Sequence, residues 1–269
     1  MNQDHRTLSI LTFNIHGERD GSLKDLENFL IESDADIICL QEHNSNVELC
    51  LRGYALMSLA CGETLKGEQG GYLCNAIFVK VQLLREQTQD VARSNTVFAS
   101  ECDASPPRCA AAIYISGITI VNIHQTGGCG DDSLFEKLVN TKCNQINKLV
   151  NLFDPDIIVG DLNAEQSAES ARNQMQTYSV YQKLTPERRE IYMNYYLGGH
   201  NALKQRSYTA AYDEKDVGCT SVYGGTPDWI YTKNQSKKIS KVLRVQKLRA
   251  IPRLSDHNAI LVTFLINNN

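Results

Sequence analysis

The chain has 269 residues, 42% of them hydrophobic and 22% charged, with a formal net charge of −4. These are the proportions of an ordinary globular protein with a sizeable core, and the acidic balance argues against a strongly basic nucleic-acid binder. No apolar run approaches the roughly 20 residues of a membrane span. The N-terminal MNQDHRTLSILTFNIHG shows no charged-then-apolar export signal, so an intracellular location is expected.

In chain order, TLSILTFNIHG reads as a first strand. Ser22 is placed to cap a helix whose apolar positions Leu23, Leu26, Phe29 and Leu30 keep helical spacing. ADIICLQE is a buried strand, and GGYLCNAIFVK, CAAAIYISG and ITIVNIHQTGG are further strands broken by glycines. A long helix is predicted from about Ser133 to Phe153, with Leu134, Leu138, Ile146, Leu149 and Phe153 on one face. In PDIIVGDLNAE the β-branched run Asp156 to Val159 is a buried strand, and Gly160 lets the chain turn. Asp161 and Asn163 then leave its exit two residues apart, on one side if the backbone stays extended.

Thr185-Pro186-Glu187 opens a helix that Gly198 is expected to end. YLGGHNALKQRSYTAAYDEKD is expected to be a long surface loop, and PDWIYTK and HNAILVTFLI are the closing strands. Nothing divides the chain, so residues 1–269 read as one domain.

The nine cysteines are scattered, with no C-x-x-C pair and no zinc spacing, and are read as reduced thiols. KNQSKKISKVLRVQKLRAIPR, Lys233 to Arg253, holds eight basic residues and no acid. It reads either as an edge strand guarded by lysines or as a strip that attracts phosphates.

The chain also echoes itself. SDADIICLQE and FDPDIIVGDLN each follow an amphipathic helix, carry D-x-D-I-I into an apolar strand and exit in an acid. Two similar halves presenting acids at one common edge are implied. AAAIYI and ITIVNI are joined by about two residues, which demands antiparallel pairing. Two packed sheets flanked by helices are therefore expected rather than a doubly wound parallel sheet.

Polar residues interrupt apolar strand ends at Asn14, Glu42, His124, Asp161, Asn163, Asp228, Asp256 and His257. Each alone has an ordinary account as a cap, a turn residue or a hydrogen-bonded wall residue. Together they are costly unless paired or bound to a metal. Oxygen donors without a Cys-His cluster favour Mg²⁺ or Mn²⁺ over zinc. Arg108 reads equally as a phosphate clamp or as a solvated residue before a strand.

In order and context TFNIHG, LQEHN, GGYLCNAIF, GDLNA, PDWIY and SDHNAI resemble the signatures of the endonuclease/exonuclease/phosphatase superfamily of metal-dependent phosphoesterases. The resemblance implies a four-layer α/β sandwich, two mixed sheets with helices outside. It implies that Glu42, Asn14 and Asp256 hold the metal and that Asp161 orients or deprotonates water. It implies that Asn163 holds a phosphate oxygen, that His257 oriented by Asp228 donates to the phosphoryl group, and that His124 assists. Arg108 is added as a phosphate contact.

Position 16 is His, where the family's repair endonucleases commonly carry an acid, and His124 stands where they usually have no histidine. An apurinic-site endonuclease is disfavoured. The histidine at 124 is similar to pancreatic-type deoxyribonucleases, tyrosyl-DNA phosphodiesterases, deadenylases, sphingomyelinases and inositol-phosphate phosphatases, although GGTPDWIY lacks the inositol-phosphatase string.

The leading expectation is a monomeric Mg²⁺- or Mn²⁺-dependent phosphodiesterase acting on nucleic acid, with no obligate protein partner. The alternatives are a phosphatase or phosphodiesterase for phosphoinositides, other lipids or small phosphates, and a non-enzymatic scaffold. His16 and His43 are expected to be ordinary loop histidines.

Overall fold

The computed structural model describes residues 5–16, 22–66, 71–86, 92–98, 108–127, 135–177, 184–250 and 254–267. The first half holds β1 (His5–Asn14), α1 (Leu23–Glu32), β2 (Ile37–Asn44), β3 (Tyr54–Lys66), β4 (Tyr72–Lys80) and the short α2 (Val81–Arg85). The second holds β5 (Ala92–Phe98), β6 (Arg108–Ile115), β7 (Ile118–His124), α3 (Phe135–Phe153), β8 (Ile157–Asp161) and α4 (Ala168–Thr177). It continues with α5 (Pro186–Gln205), β9 (Tyr208–Ala210), α6 (Glu214–Val217), β10 (Asp228–Lys233), β11 (Ile239–Leu248) and β12 (Ala259–Asn267). One six-stranded sheet runs β11-β12-β1-β2-β4-β3 and the other β5-β6-β7-β8-β10-β9. Both are mixed: β1–β2 and β7–β8 are parallel pairs, and the rest are antiparallel.

Period-two burial explains the layers. On β1, Leu8 and Ile10 join the core between the sheets, whereas Leu11 and Phe13 pack with Leu26 and Leu30 of α1. On the far side Ile146 and Leu149 of α3 meet the second sheet, and α3, α4 and α5 share an outer cluster around Leu138, Met175 and Tyr195. Helix, sheet, sheet and helices thus form the four-layer α/β sandwich. Ser22 caps α1, its side chain accepting from the Asp25 N–H at 3.1 Å. Residues 133 and 134, assigned to the long helix, lie outside the described residues.

Four local expectations are corrected. Gly198 does not end α5, which continues to Gln205, and β9 and α6 occupy what was expected to be a surface loop. The reason is packing: Gly198 lies in a buried stretch of α5 with Tyr195, Ala202 and Leu203, and at its neighbour Gly199 a Cβ would lie 2.4 Å from Oε1 of Gln125. Gly160 is not the turn. It lies within β8 at φ +144°, and a Cβ there would sit 1.8 Å from the Ile123 carbonyl oxygen of β7. Cys61 and Cys74 are not thiols but a disulfide, because the β3–β4 register sets them opposite each other. Cys39 and Cys109 are free and buried.

β11 is an edge strand, as the lysine-guarded reading requires. Lys233 and Lys238 are engaged at the end away from Asp161, with Asp154 (2.7 Å) and Asp156 (2.8 Å). Lys247 stands at the other end, one residue before the Leu248–Ala259 pair that leads to His257.

Candidate active site

The inter-sheet face of each central strand changes character along its length. β1 reads Ile10, Thr12, Asn14; β2 reads Ile37, Cys39, Gln41; β7 reads Ile120, Asn122, His124; β8 reads Ile157, Val159, Asp161. The apolar members lie in the inter-sheet core. A buried amide layer follows, in which Gln41 Nε2 donates to Asn122 Oδ1 (2.7 Å) and Asn122 Nδ2 donates to the carbonyls of Leu40 and Ala76. Asn14, His124 and Asp161 lie beyond that layer, at one edge of both sheets.

Asp161 is the centre. Its Oδ2 accepts from Asn14 Nδ2 (2.9 Å), and its Oδ1 accepts from the Asn163 N–H (2.8 Å). Asn163 is not extended but left-handed, at φ +45°. That turn, rather than strand alternation, brings its amide to 3.3 Å from His124 Nε2 and 3.2 Å from the Gln125 carbonyl. Burial pushes the Asp161 carboxyl up to about 6; the His257 charge opposes this, the Asp228 charge adds to it, and the Asn14 and Asn163 hydrogen bonds hold it down.

His257 stands across from it, Nε2 at 4.0 Å from Asp161 Oδ2 and Nδ1 at 2.9 Å from Asp228 Oδ2. Asp228 is fully buried, its Oδ2 also accepting from Thr220 Oγ1 (2.7 Å). Burial alone would lower His257. The Asp228 charge and hydrogen bond, with Asp161 and Asp256, outweigh it and raise the imidazole to about 10. The doubly protonated ring donates to Asp228 through Nδ1 and points an Nε2–H toward Asp161.

His124 is the opposite case. Burial first, then the charges of Arg108 and His257, hold it well below the ordinary histidine value. Arg108 Nη1 lies 3.1 Å from Nδ1, and a guanidinium only donates, so a hydrogen bond there requires Nδ1 to be unprotonated. Arg108 is therefore inside the site. It lines a cleft with Glu42, Leu73, Cys74, Asn75, Cys109 and His124, and its Nε is buried with no hydrogen-bond partner.

Glu42 reaches this edge through a defect in its strand. The β2–β4 register shifts between Leu40 and His43, and Glu42 sits at φ +58°. Without that bulge strict alternation would send it to the α1 side with Leu40. Its Oε1 lies 3.5 Å from Asn14 Nδ2 and 3.8 Å from His124 Nδ1, neither a tight hydrogen bond. Asp256 Oδ1 meets His16 Nδ1 at 2.9 Å and His257 Nε2 at 3.8 Å. The His16 hydrogen bond and the His257 charge lower its carboxyl, against the push of partial burial.

All the residues singled out from the sequence thus gather at one edge. His16 belongs with them, contrary to its reading as a loop residue. His43 does not, and it is not a loop residue either: it lies on β2, buried edge-on to Phe78 with ring centroids 6.5 Å apart. Lys142 was missed. It is fully buried on α3, donating to the carbonyls of Asn163 and Tyr195, with the Tyr195 ring 3.8 Å away. A lysine four residues from both Leu138 and Ile146, on the apolar face, was the available signal. Glu165 was missed too. Its buried carboxylate accepts from Ser170 and the Thr226 N–H, tying the Asn163 turn to the segment before Asp228.

As for metals, Asp161, Asp228 and His257 place ligand atoms within 4.8 Å of one another. The 2.9 Å contact between His257 and Asp228 is a hydrogen bond, which leaves those atoms engaged with each other. Glu42, Asn14 and Asp256 offer oxygen donors of the kind hard divalent cations take, with Glu42 loosely held and partly open to solvent. This donor set fits such an ion.

No curated protein sequence matches the chain significantly. Among solved structures it is similar to an endonuclease/exonuclease/phosphatase from Beutenbergia cavernae, with 13% identity and TM-score 0.64 over 97% of this chain and 72% of that one. It is also similar to the human Nocturnin catalytic domain with bound sulfate, at 16% identity and TM-score 0.61, covering 98% of each chain. A third likeness is to the 3′ phosphatase NExo from Neisseria bound to product DNA hairpin, at 16% identity and TM-score 0.58, covering 96% of this chain and 99% of that one. These likenesses concern the fold. The profile of the Endonuclease/Exonuclease/phosphatase family matches residues 11–257, from β1 to the histidine opposite Asp161, and the chain belongs to that family.

Proposed function

We propose that the protein is a divalent-metal-dependent phosphodiesterase that hydrolyses DNA or RNA, including end processing of the tyrosyl-DNA phosphodiesterase kind. The observation that carries this reading is Asp161 clamped between Asn14 and Asn163, with the Asp228–His257 pair 4.0 Å across from it. Phosphoryl transfer needs positioning and charge neutralisation more than covalent chemistry. Asp161, with a carboxyl raised to about 6, is ionised near neutrality and takes the proton of the attacking water. As the water oxygen bonds to phosphorus the P–O bond opposite it breaks, and the departing oxygen takes a proton from solvent. Asn163 and the His257 Nε2–H donate to the phosphoryl oxygens, and Asp228 keeps His257 charged. Neutral His124 and Arg108 contact a further phosphate oxygen from the other side. Glu42, Asn14 and Asp256 would hold Mg²⁺ (or Mn²⁺), which when bound supplies Lewis-acid neutralisation of phosphate charge.

Among the described residues no helix is long and apolar enough to cross a membrane. In this reading residues 1–269 work as one domain and as a monomer, inside the cell. The Cys61–Cys74 bond is the observation that weighs against a reducing location.

The test is hydrolysis of labelled single- and double-stranded DNA and RNA with Mg²⁺ or Mn²⁺, and with chelator. Asp161→Ala and His257→Ala, each checked for folding, run alongside. Metal-dependent cleavage lost in both variants is expected. Absence of cleavage by the wild type would sink the nuclease reading in favour of phosphoinositide, lipid or small-phosphate substrates, screened with the same controls.

A further inference from the structure

The turn between α6 and β10 exposes two apolar side chains beside the site. Val222 is 71% and Tyr223 49% accessible. Single exposed apolar residues are ordinary. This pair differs because its backbone is fastened to the phosphate-facing groups. The Val222 N–H donates to the Asp256 carbonyl (2.9 Å), and Ser221 bridges directly to His257.

The turn is also stiff. The N–H groups of Thr220 and Ser221 both reach the Gly225 carbonyl, and the Tyr223 N–H donates to Ser221 Oγ. Gly224 takes φ +91° to close the loop. Thr220 holds Asp228, and Thr226 is held by Glu165. A tip anchored on both flanks keeps a fixed distance from His257.

The basic edge strand supports the same turn. Lys247 of β11 donates from Nζ to the Cys219 carbonyl at 3.3 Å, with exposed Arg249 two residues further on. An aromatic tip next to a cationic strip is the pairing that grips single-stranded nucleic acid. Cations track the backbone, and an aromatic face accepts any base because every base has a π-face.

We propose that Val222 and Tyr223 form the base-stacking wall of the substrate groove, receiving the nucleobase that adjoins the phosphate held by Asn163 and His257. This rests on the nuclease reading and specifies its substrate: a strand whose base at the cleavage point is unpaired and free to stack.

The experiment compares kcat/KM on a single-stranded oligonucleotide with that on a base-free deoxyribose-phosphate strand of the same length. Wild type, Tyr223→Ala, Tyr223→Phe and Val222→Ser are used, with melting curves to verify folding. Wild type should prefer the base-bearing strand. Tyr223→Ala should cut that preference about tenfold, mainly through KM, the size expected for one base–aromatic stack. Tyr223→Phe should retain it, and Val222→Ser should lower it by a smaller factor. A Tyr223→Ala protein that loses activity equally on both strands, or on neither, overturns the proposal while leaving the nuclease reading intact. Wild type cleaving neither strand removes the nuclease reading and this wall with it, an outcome read from the wild type alone.

Discussion

The segment β1–α1–β2 and the segment β7–α3–β8 are the same device built twice, with a helix of 10 residues in one and 19 in the other, and their strands match at one end and diverge at the other. In each, two parallel strands flank a helix, with Ile10 opposite Ile37 and Ile120 opposite Ile157. At the lower end the copies agree closely. Asp36 accepts from the Ser9 N–H at 2.8 Å and Asp156 from the Thr119 N–H at 2.9 Å. Lys80 pairs with Asp34 at 2.6 Å and Lys233 with Asp154 at 2.7 Å, both aspartates in left-handed turns. At the upper end equivalent places carry Asn14 and His124, Gln41 and Asp161, Leu40 and Gly160. The D-x-D acids below are held by lysines and backbone N–H groups; Asp161 above is held by amides and faces imidazoles. The same carboxylate chemistry is tied into lysine pairs in one place, and in the other it forms the centre of the proposed active site.

The largest effect should come from exchanging the acids across that division. Asp161→Asn is isosteric, keeps its place beside Asn14, and should lower kcat by about a thousandfold, the range for a lost general base. Asp156→Asn should leave kcat within about threefold but lower stability by about 1–2 kcal/mol, since it weakens bonds to Lys238 and Ser236. Hydrolysis rates and urea unfolding on the same two proteins measure both. Equal catalytic losses would erase the distinction between the two ends.

Next in size is Gly160→Ala. The equivalent Leu40 has room for its side chain against α1, but a Cβ at Gly160 meets the Ile123 carbonyl at 1.8 Å. Backbone must move, at a cost of about 3 kcal/mol or more. Because Ile123 precedes His124, activity should fall along with the midpoint of urea unfolding.

These cases indicate which parts of the molecule were legible in the sequence. Period-two and helical spacing marked Leu26, Leu30, Ile146 and Leu149 as buried, and the D-x-D-I-I echo pointed to two halves. Polar residues at apolar strand ends marked Asn14, Asp161 and His257, because burial of such groups needs a compensating reason. The rest depends on residues distant in sequence. The bulge that turns Glu42 inward is a mismatch between β2 and β4. Gly198 reads as a helix terminator, and only the fold shows it in a buried stretch of α5 whose next residue, Gly199, lies against Gln125. His16 becomes a site residue only when the chain end brings Asp256 to it. The Cys61–Cys74 bond follows from the β3–β4 register, which cysteine spacing does not encode.

A smaller effect tests the amide layer between the copies. Gln41 occupies the place of Asp161 but donates to Asn122 Oδ1 and Thr12 Oγ1. Gln41→Leu leaves those acceptors buried without that donor, which should cost about 2 kcal/mol. Since the layer lies below the reacting groups, kcat should change by no more than about threefold at a temperature where the variant is folded. A catalytic loss as large as that of Asp161→Asn would show that the layer sets the geometry of the site directly.

The last comparison is between Asp161 and His257, which face each other and are shifted in the same direction. Asp161 must be ionised to accept a proton, and its carboxyl is raised to about 6, so activity should be lost as pH falls through about 6. Between pH 5 and 7 that limb is worth about tenfold. His257 must be charged to donate, and it is raised to about 10, so activity should be lost again as pH rises toward about 10. Stability follows the same histidine. A folded-state value above the ordinary one of about 6.5 gives a contribution that is complete below about 6.5 and lost as pH climbs through about 10. Asp161 works the other way, because ionising a buried carboxyl whose value is raised removes stability as pH rises from about 4 to about 6. Asp228→Asn separates the two limbs. Removing the charge that raises His257 should move the alkaline limb to lower pH, with a Tm that falls off earlier on the alkaline side. Asp161 should shift slightly downward, since Asp228 also raises it. A pH–rate profile whose alkaline limb stays in place in Asp228→Asn would mean that this limb belongs to a group other than His257.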